Sequence, residues 1–225
     1  GNITLVSSDI DNGSSDICGF SSFVISPSAF NCSTTGPNNV TMTVTDNDGN
    51  TASCTAVATI NDDVPPGAFC MNATVQLDAA GNATITTATV DNGSSDACSG
   101  IASYSLSNSN FNCSNVGDNS VTLTVSDNDS QTSSCEAIVT IEDNVAPTAI
   151  CQDATVQLNN DGLGSLTTAE IDNGSSDVCT GVSLSVSPDN FNCSHVGANA
   201  VTLTVADAYL NISTCLANVT VSDLS

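Results

Sequence analysis

Residues 120–141 read Ser-Val-Thr-Leu-Thr-Val-Ser-Asp-Asn-Asp-Ser-Gln-Thr-Ser-Ser-Cys-Glu-Ala-Ile-Val-Thr-Ile. In an extended chain Val121, Leu123 and Val125 share one face, and Thr122, Thr124 and Ser126 share the other. Asp127-Asn-Asp-Ser130 then supplies the Asx residues that favour a tight turn. A second alternating run follows from Ser134 to Ile141. Two such runs across an Asx-rich turn predict an antiparallel hairpin with one buried face, and no stretch of the chain carries a convincing helical period.

The same hairpin occurs three times. VTMTVTD begins at Val40, VTLTVSD at Val121 and VTLTVAD at Val201, each followed by a Cys and a further alternating run, CTAVATI from Cys54, CEAIVTI from Cys135 and CLANVTV from Cys215. Upstream, Asp11-Asn-Gly-Ser-Ser-Asp16 recurs as Asp91 to Asp96 and Asp172 to Asp177, displaced by 80 and then 81 residues. Phe-Asn-Cys-Ser recurs at Phe30, Phe111 and Phe191. Fixed self-similarity of this length marks a tandem array. The expected fold is all-β, as antiparallel β-sandwich modules arranged end to end.

The linkers repeat too: NDDVPPGAFC from Asn61 to Cys70, EDNVAPTAIC from Glu142 to Cys151. Proline stops strand propagation there. This places a first module at 1–64, a second at 65–145 and a third at 146–225. Gly1 aligns with Gly81, so the first module is expected to lack its first strand. The strands expected in the second are Cys70–Leu77, Ala83–Val90, Ile101–Ser107, Ser120–Ser126 and Ser134–Ile141.

Charge narrows the function. The 225 residues include no Lys or Arg and 24 Asp plus Glu, a formal net charge of −24. Nucleic acid is excluded as a partner for want of cations, and an anionic membrane surface would need a bridging ion. No internal salt bridge to Lys or Arg exists, so every carboxylate must meet water, a hydrogen-bond donor or a metal ion. Calcium, which takes six to eight oxygens, is the expected cofactor. The candidate ligands are Asp11, Asp16, Asp91, Asp96, Asp172 and Asp177 of the DNGSSD loops, with Asp62, Asp63, Glu142 and Asp143 of the linkers. The turn aspartates Asp46, Asp48, Asp127 and Asp129 rank third as candidates and read first as plain hairpin residues. Catalysis finds no support, since the lone His195 has no counterpart in the other copies.

Eleven cysteines indicate an oxidising, extracellular setting. Four fall in each of the later modules and three in the first. The expected pairs are Cys98–Cys113, closing a short loop, and Cys70–Cys135, tying first strand to last. By analogy Cys18 pairs with Cys32, Cys179 with Cys193 and Cys151 with Cys215, while the partner of Cys54 lies outside the fragment. Chain entropy gives such bridges about 3 kcal/mol for the short loop and about 4 for the long one. A rival scheme crosses the linkers, Cys54–Cys70 and Cys135–Cys151. Zinc is not indicated, because C-x₂-C clustering is absent.

The order of linker D-N-x-A-P, strand cysteine, second cysteine, V-T-x-T-V-x-D-x-x-G-N and final cysteine resembles the hyalin repeat (HYR). Its variants with DNGSSDAC and FNC motifs are similar to arrays in secreted surface proteins of Bacteroidota, including gliding-motility adhesins of the type IX secretion pathway. The resemblance implies an immunoglobulin-like sandwich and a structural or adhesive filament at the cell surface, its modules contacting neighbours, further copies or a surface polysaccharide. A carbohydrate- or protein-binding array and an accessory region of a secreted enzyme are the alternatives. The linker acidic residues match in position the calcium-binding joints of cadherins.

Overall fold

The computed structural model describes residues 1–223. The first repeat contributes β1 (Asn2–Thr4), β2 (Phe20–Ser26), β3 (Ala29–Asn31), β4 (Gly36–Asp46) and β5 (Thr51–Ile60). The second contributes β6 (Ala73–Gln76), β7 (Asn82–Thr84), β8 (Ile101–Leu106), β9 (Asn110–Asn112), β10 (Gly117–Asp127) and β11 (Thr132–Glu142). The third contributes β12 (Ala154–Gln157), β13 (Leu163–Ser165), β14 (Ser183–Ser187), β15 (Asn190–Asn192), β16 (Gly197–Ala206) and β17 (Ile212–Ser222). The fold is all-β. The larger sheets run β2-β4-β5, β6-β11-β10-β8 and β12-β17-β16-β14, and the smaller ones pair β1 with β3, β7 with β9 and β13 with β15.

Not every pairing is antiparallel. β6 runs parallel to β11, and β12 to β17. The opening strand of a repeat thus lies along its closing strand in the same direction, which a hairpin pattern alone does not reveal. β5 has no such partner, and the first sheet stops at three strands.

The predicted second strand of the second module is shorter than expected. Instead of a strand over Ala83–Val90, β7 ends at Thr84 and a helical turn, α2 (Thr87–Val90), follows α1 (Ser7–Ile10) and precedes α3 (Thr168–Ile171). The Asp91 amide donates to the Thr87 carbonyl at 2.9 Å, as Asp172 does to Thr168, and Val90 is wholly buried. The signal was present in Thr167-Thr-Ala-Glu170, a capping sequence: Glu170 accepts the Thr167 amide at 2.6 Å and its hydroxyl at 2.8 Å.

By contact density the chain forms two compact units. One comprises Gly1–Met71, Thr87–Ser107 and Thr122–Ala137, the other Asn72–Thr86, Asn108–Val121 and Ile138–Ser225. Their division falls across β10 and β11, and each unit is built around one linker. In the second unit, Phe191 of β15 joins Val156, Val201, Leu203, Val205, Ala217, Val219 and Val221 in one buried cluster, so both sheets of the third repeat close on a single core. Burying aliphatic side chains of this size stabilises by roughly 1.5–3 kcal/mol each.

The disulfides differ from expectation in half their pairs. Cys70 joins Cys135 and Cys151 joins Cys215. The short-loop pairs do not form: Cys32 joins Cys98 and Cys113 joins Cys179, leaving Cys18, Cys54 and Cys193 as free thiols. The reason is strand geometry. β14 separates Cys179 from Cys193 and β2 separates Cys18 from Cys32. At about 3.3 Å per residue each strand carries the chain some 17–23 Å away, whereas a disulfide needs Cα atoms within about 7 Å. Cys98 and Cys113 likewise flank β8. Neither does the rival linker-crossing scheme occur. The two bridges that replace the short-loop pairs join the FNC cysteine of one repeat to the DNGSSD-x-C cysteine of the next.

Candidate metal centre

The inward faces of the long strands end in aspartate. On β10, Val121, Leu123 and Val125 are fully buried, and two residues on Asp127 is 1% exposed. On β11, Ala137, Val139 and Ile141 are followed, again at period two, by Asp143 at 3%. Asp62 holds the same place after β5 and is 7% exposed. A side-chain period of two that places valines in the core therefore also places these carboxylates at its rim.

In the first unit Asp62, Asp96 and Asp127 come together, with a ligand-capable oxygen from each lying within 4.8 Å of the others. One oxygen of each carboxylate is committed to its own turn. Asp62 Oδ1 accepts the Val64 amide at 3.1 Å. Asp127 Oδ1 accepts the amides of Asp129 and Gln131 at 3.0 and 2.8 Å. Asp96 Oδ1 accepts those of Cys98, Ser99 and Gly100 at 2.9, 2.7 and 3.0 Å. The Oδ2 atoms of Asp62 and Asp127 are buried and have no hydrogen-bond partner in the protein.

The second unit repeats the arrangement with one change. Asp143 Oδ1 accepts the Val145 amide at 3.1 Å, and Asp177 Oδ1 accepts those of Cys179 and Thr180 at 2.8 and 2.9 Å. Their Oδ2 atoms are again buried without partners. Asp207 stands where Asp127 stands, but Asn211 donates to its Oδ2 at 2.7 Å, so this oxygen is already satisfied. The Cys179 sulfur lies beside Asp143 and Asp177 but is bound in a disulfide and offers no thiolate.

Close, buried carboxylates repel one another and lose hydration, a combination that normally requires a cation or a full set of donors. This sequence has neither Lys nor Arg to supply the charge. Hard oxygen donors with buried free lone pairs suit calcium, with water completing the shell.

The remaining sequence candidates lie outside both clusters. Asp11, Asp91 and Asp172 close Asx turns on the amides of Ser14, Ser94 and Ser175, each at 3.0 Å. The serine hydroxyl and then the serine amide hold all three carboxyls below their ordinary range. Asp16 accepts the Cys18 amide at 2.7 Å, Glu142 accepts from Gln76 at 2.8 Å, and Asp63 is exposed. Asp96 is held low by the Cys98 amide, followed by those of Ser99 and Gly100. The sequence ranks Asp127 third among the candidates, with the plain hairpin turn as the favoured reading. The signal that finds it is its phase with Val121, Leu123 and Val125.

No protein-family model and no curated protein matches the chain. Among solved structures it is similar to protocadherin gamma B7 extracellular cadherin domains 1–4, at 13% identity over 85% of this chain and 59% of that one, TM-score 0.39. It is also similar to human CDH23 EC21–23, at 15% identity over 80% and 73%, TM-score 0.43. A third likeness is to titin domains I67–I69, at 10% identity over 95% and 84%, TM-score 0.37. With TM-scores below 0.5, these likenesses assign neither function nor ligand.

Proposed function

We propose that the chain is a structural repeat region of an extracellular protein in which calcium and disulfides together fix the junctions between repeats. The observation that carries this reading is the pair of buried, unpartnered Oδ2 atoms at Asp62 and Asp127, with a second such pair at Asp143 and Asp177, in a chain without basic side chains. Asp62 and Asp143 come from linkers, Asp96 and Asp177 from the loop of the following repeat. A calcium ion shared by such residues resists displacement of one repeat against the next. The bridges Cys32–Cys98 and Cys113–Cys179 join the same neighbours covalently.

The hyalin-repeat resemblance supports an adhesive, surface-displayed version of this role in a Bacteroidota protein, with the modules meeting each other or further copies. Catalysis forms no part of it. Scanning calorimetry tests the calcium role. A ligand at 100 times its Kd stabilises the folded state by about 2.7 kcal/mol, so millimolar calcium should raise Tm by several degrees over EGTA. Equal midpoints in the two conditions would refute it.

A further inference from the structure

The two junction bridges are built alike, and each leaves a mould that can be compared with the free thiols. The FNC cysteine opens a 3₁₀ turn: Cys32–Thr34, Cys113–Asn115 and Cys193–His195. In each, the preceding asparagine accepts the following serine amide at 2.9 Å. The sulfur then rests on a glycine carbonyl, Cys113 on Gly81 at 3.7 Å and Cys193 on Gly162 at 3.8 Å. Both glycines have positive φ, +75° and +71°, and a Cβ on either would stand 2.6 or 2.7 Å from the sulfur. Glycine is required here twice over, by conformation and by the close approach. At Gly81 the partner sulfur of Cys179 sits in the same cradle.

The other half of the bridge is equally uniform. The amides of Cys18, Cys98 and Cys179 donate to the aspartate two residues earlier, at 2.7, 2.9 and 2.8 Å. Cys98 and Cys179 are in bridges, and Cys18 is exposed and free. Cys193 and Cys18 thus carry, unpaired, the two geometries that pair twice within the chain.

We propose that Cys193 accepts the DNGSSD-x-C cysteine of another repeat, so that a second copy of this chain, presenting Cys18, is joined to it head to tail. The coupling is thiol–disulfide exchange with a low-molecular-weight disulfide. The Cys193 thiolate attacks oxidised glutathione, forming a mixed disulfide and releasing one glutathione thiolate. The Cys18 thiolate of the second copy then displaces the other. Two protein thiols are oxidised, and one oxidised glutathione becomes two reduced molecules.

The test uses the whole chain carrying Cys54→Ser, incubated in a glutathione redox buffer and followed on non-reducing gels. The expected result is a ladder of covalent oligomers that dithiothreitol collapses. Adding Cys18→Ser or Cys193→Ser should leave each variant monomeric alone, and mixing the two should give one dimer band. Its crosslink, mapped after cleavage with an Asp-specific protease, should join Cys193 to Cys18. Both substitutions are at exposed thiols, and circular dichroism confirms folding. Two outcomes overturn the proposal. One is that either single-thiol variant dimerises with itself as fully as the mixture does. The other is that the mixture stays monomeric while Cys32–Cys98 and Cys113–Cys179 are intact by mass spectrometry.

Discussion

The side-chain amide of Gln131 donates to the carbonyl of Asp62 at 2.5 Å, and this contact leaves the Asp127 carboxylate open. Asn211, at the matching place in the third repeat, is one methylene shorter. It reaches the Asp143 carbonyl at 2.9 Å and also caps Asp207 Oδ2 at 2.7 Å. The first cluster therefore offers three carboxylates and the second two. Gln131→Asn should weaken calcium at the first cluster by roughly tenfold, about 1.4 kcal/mol, and Asn211→Gln should strengthen it at the second. Calorimetric titration of each variant checks both directions.

Asp127→Asn should abolish the tighter calcium site yet leave Tm in EGTA unchanged or higher, because it removes a like charge from a buried cluster. Asp91→Asn is the contrasting control. Its carboxylate serves the Ser94 turn, so calcium heats should be preserved. Loss of binding in the second variant and not the first would reverse the assignment.

The junction disulfide and the cluster are coupled through one amide, since Cys98 N donates to Asp96 Oδ1. The double variant Cys32→Ser, Cys98→Ser should therefore lower calcium affinity at the first cluster. Removing Cys151–Cys215, which closes a loop of 64 residues, should cost about 4 kcal/mol on the entropic account and leave that affinity alone. Denaturant melts and titrations on the two variants separate the effects.

Acid stability follows from the carboxylates held below their ordinary range: Asp11, Asp46, Asp91, Asp96, Glu170 and Asp172. Each is lowered by donors it meets only when folded: the Asn50 side chain and amide for Asp46, the Thr167 amide and hydroxyl for Glu170. A depressed folded value means the stabilisation is complete above the unfolded carboxylate range, about 3.9–4.3, and is lost as pH falls through the folded values. In EGTA, Tm should stay level from neutrality down to about pH 5 and drop below about pH 4. A fall beginning near pH 6 would point elsewhere.

Strands β10 and β11 were legible in the sequence because one face of each is buried, so apolar side chains recur at period two. The repeat also made the linkers legible, and with them Asp62 and Asp143. What escaped was non-local. Cys98 and Cys113 are near in sequence, yet β8 carries the chain away between them, so proximity along the chain misled. Asp127 looked like a turn residue because its Oδ1 is one; only its burial shows what its Oδ2 is left to do. In the third copy Asp207 keeps the position of Asp127, and the neighbouring Asn211 satisfies its Oδ2.

Isothermal titration of the EGTA-stripped chain with calcium chloride at neutral pH tests the central claim most directly. The account predicts saturable binding to two sites of unequal affinity, with the tighter one missing in Asp62→Asn. An absence of saturable heat up to millimolar calcium, or binding unaltered by that substitution, would contradict it.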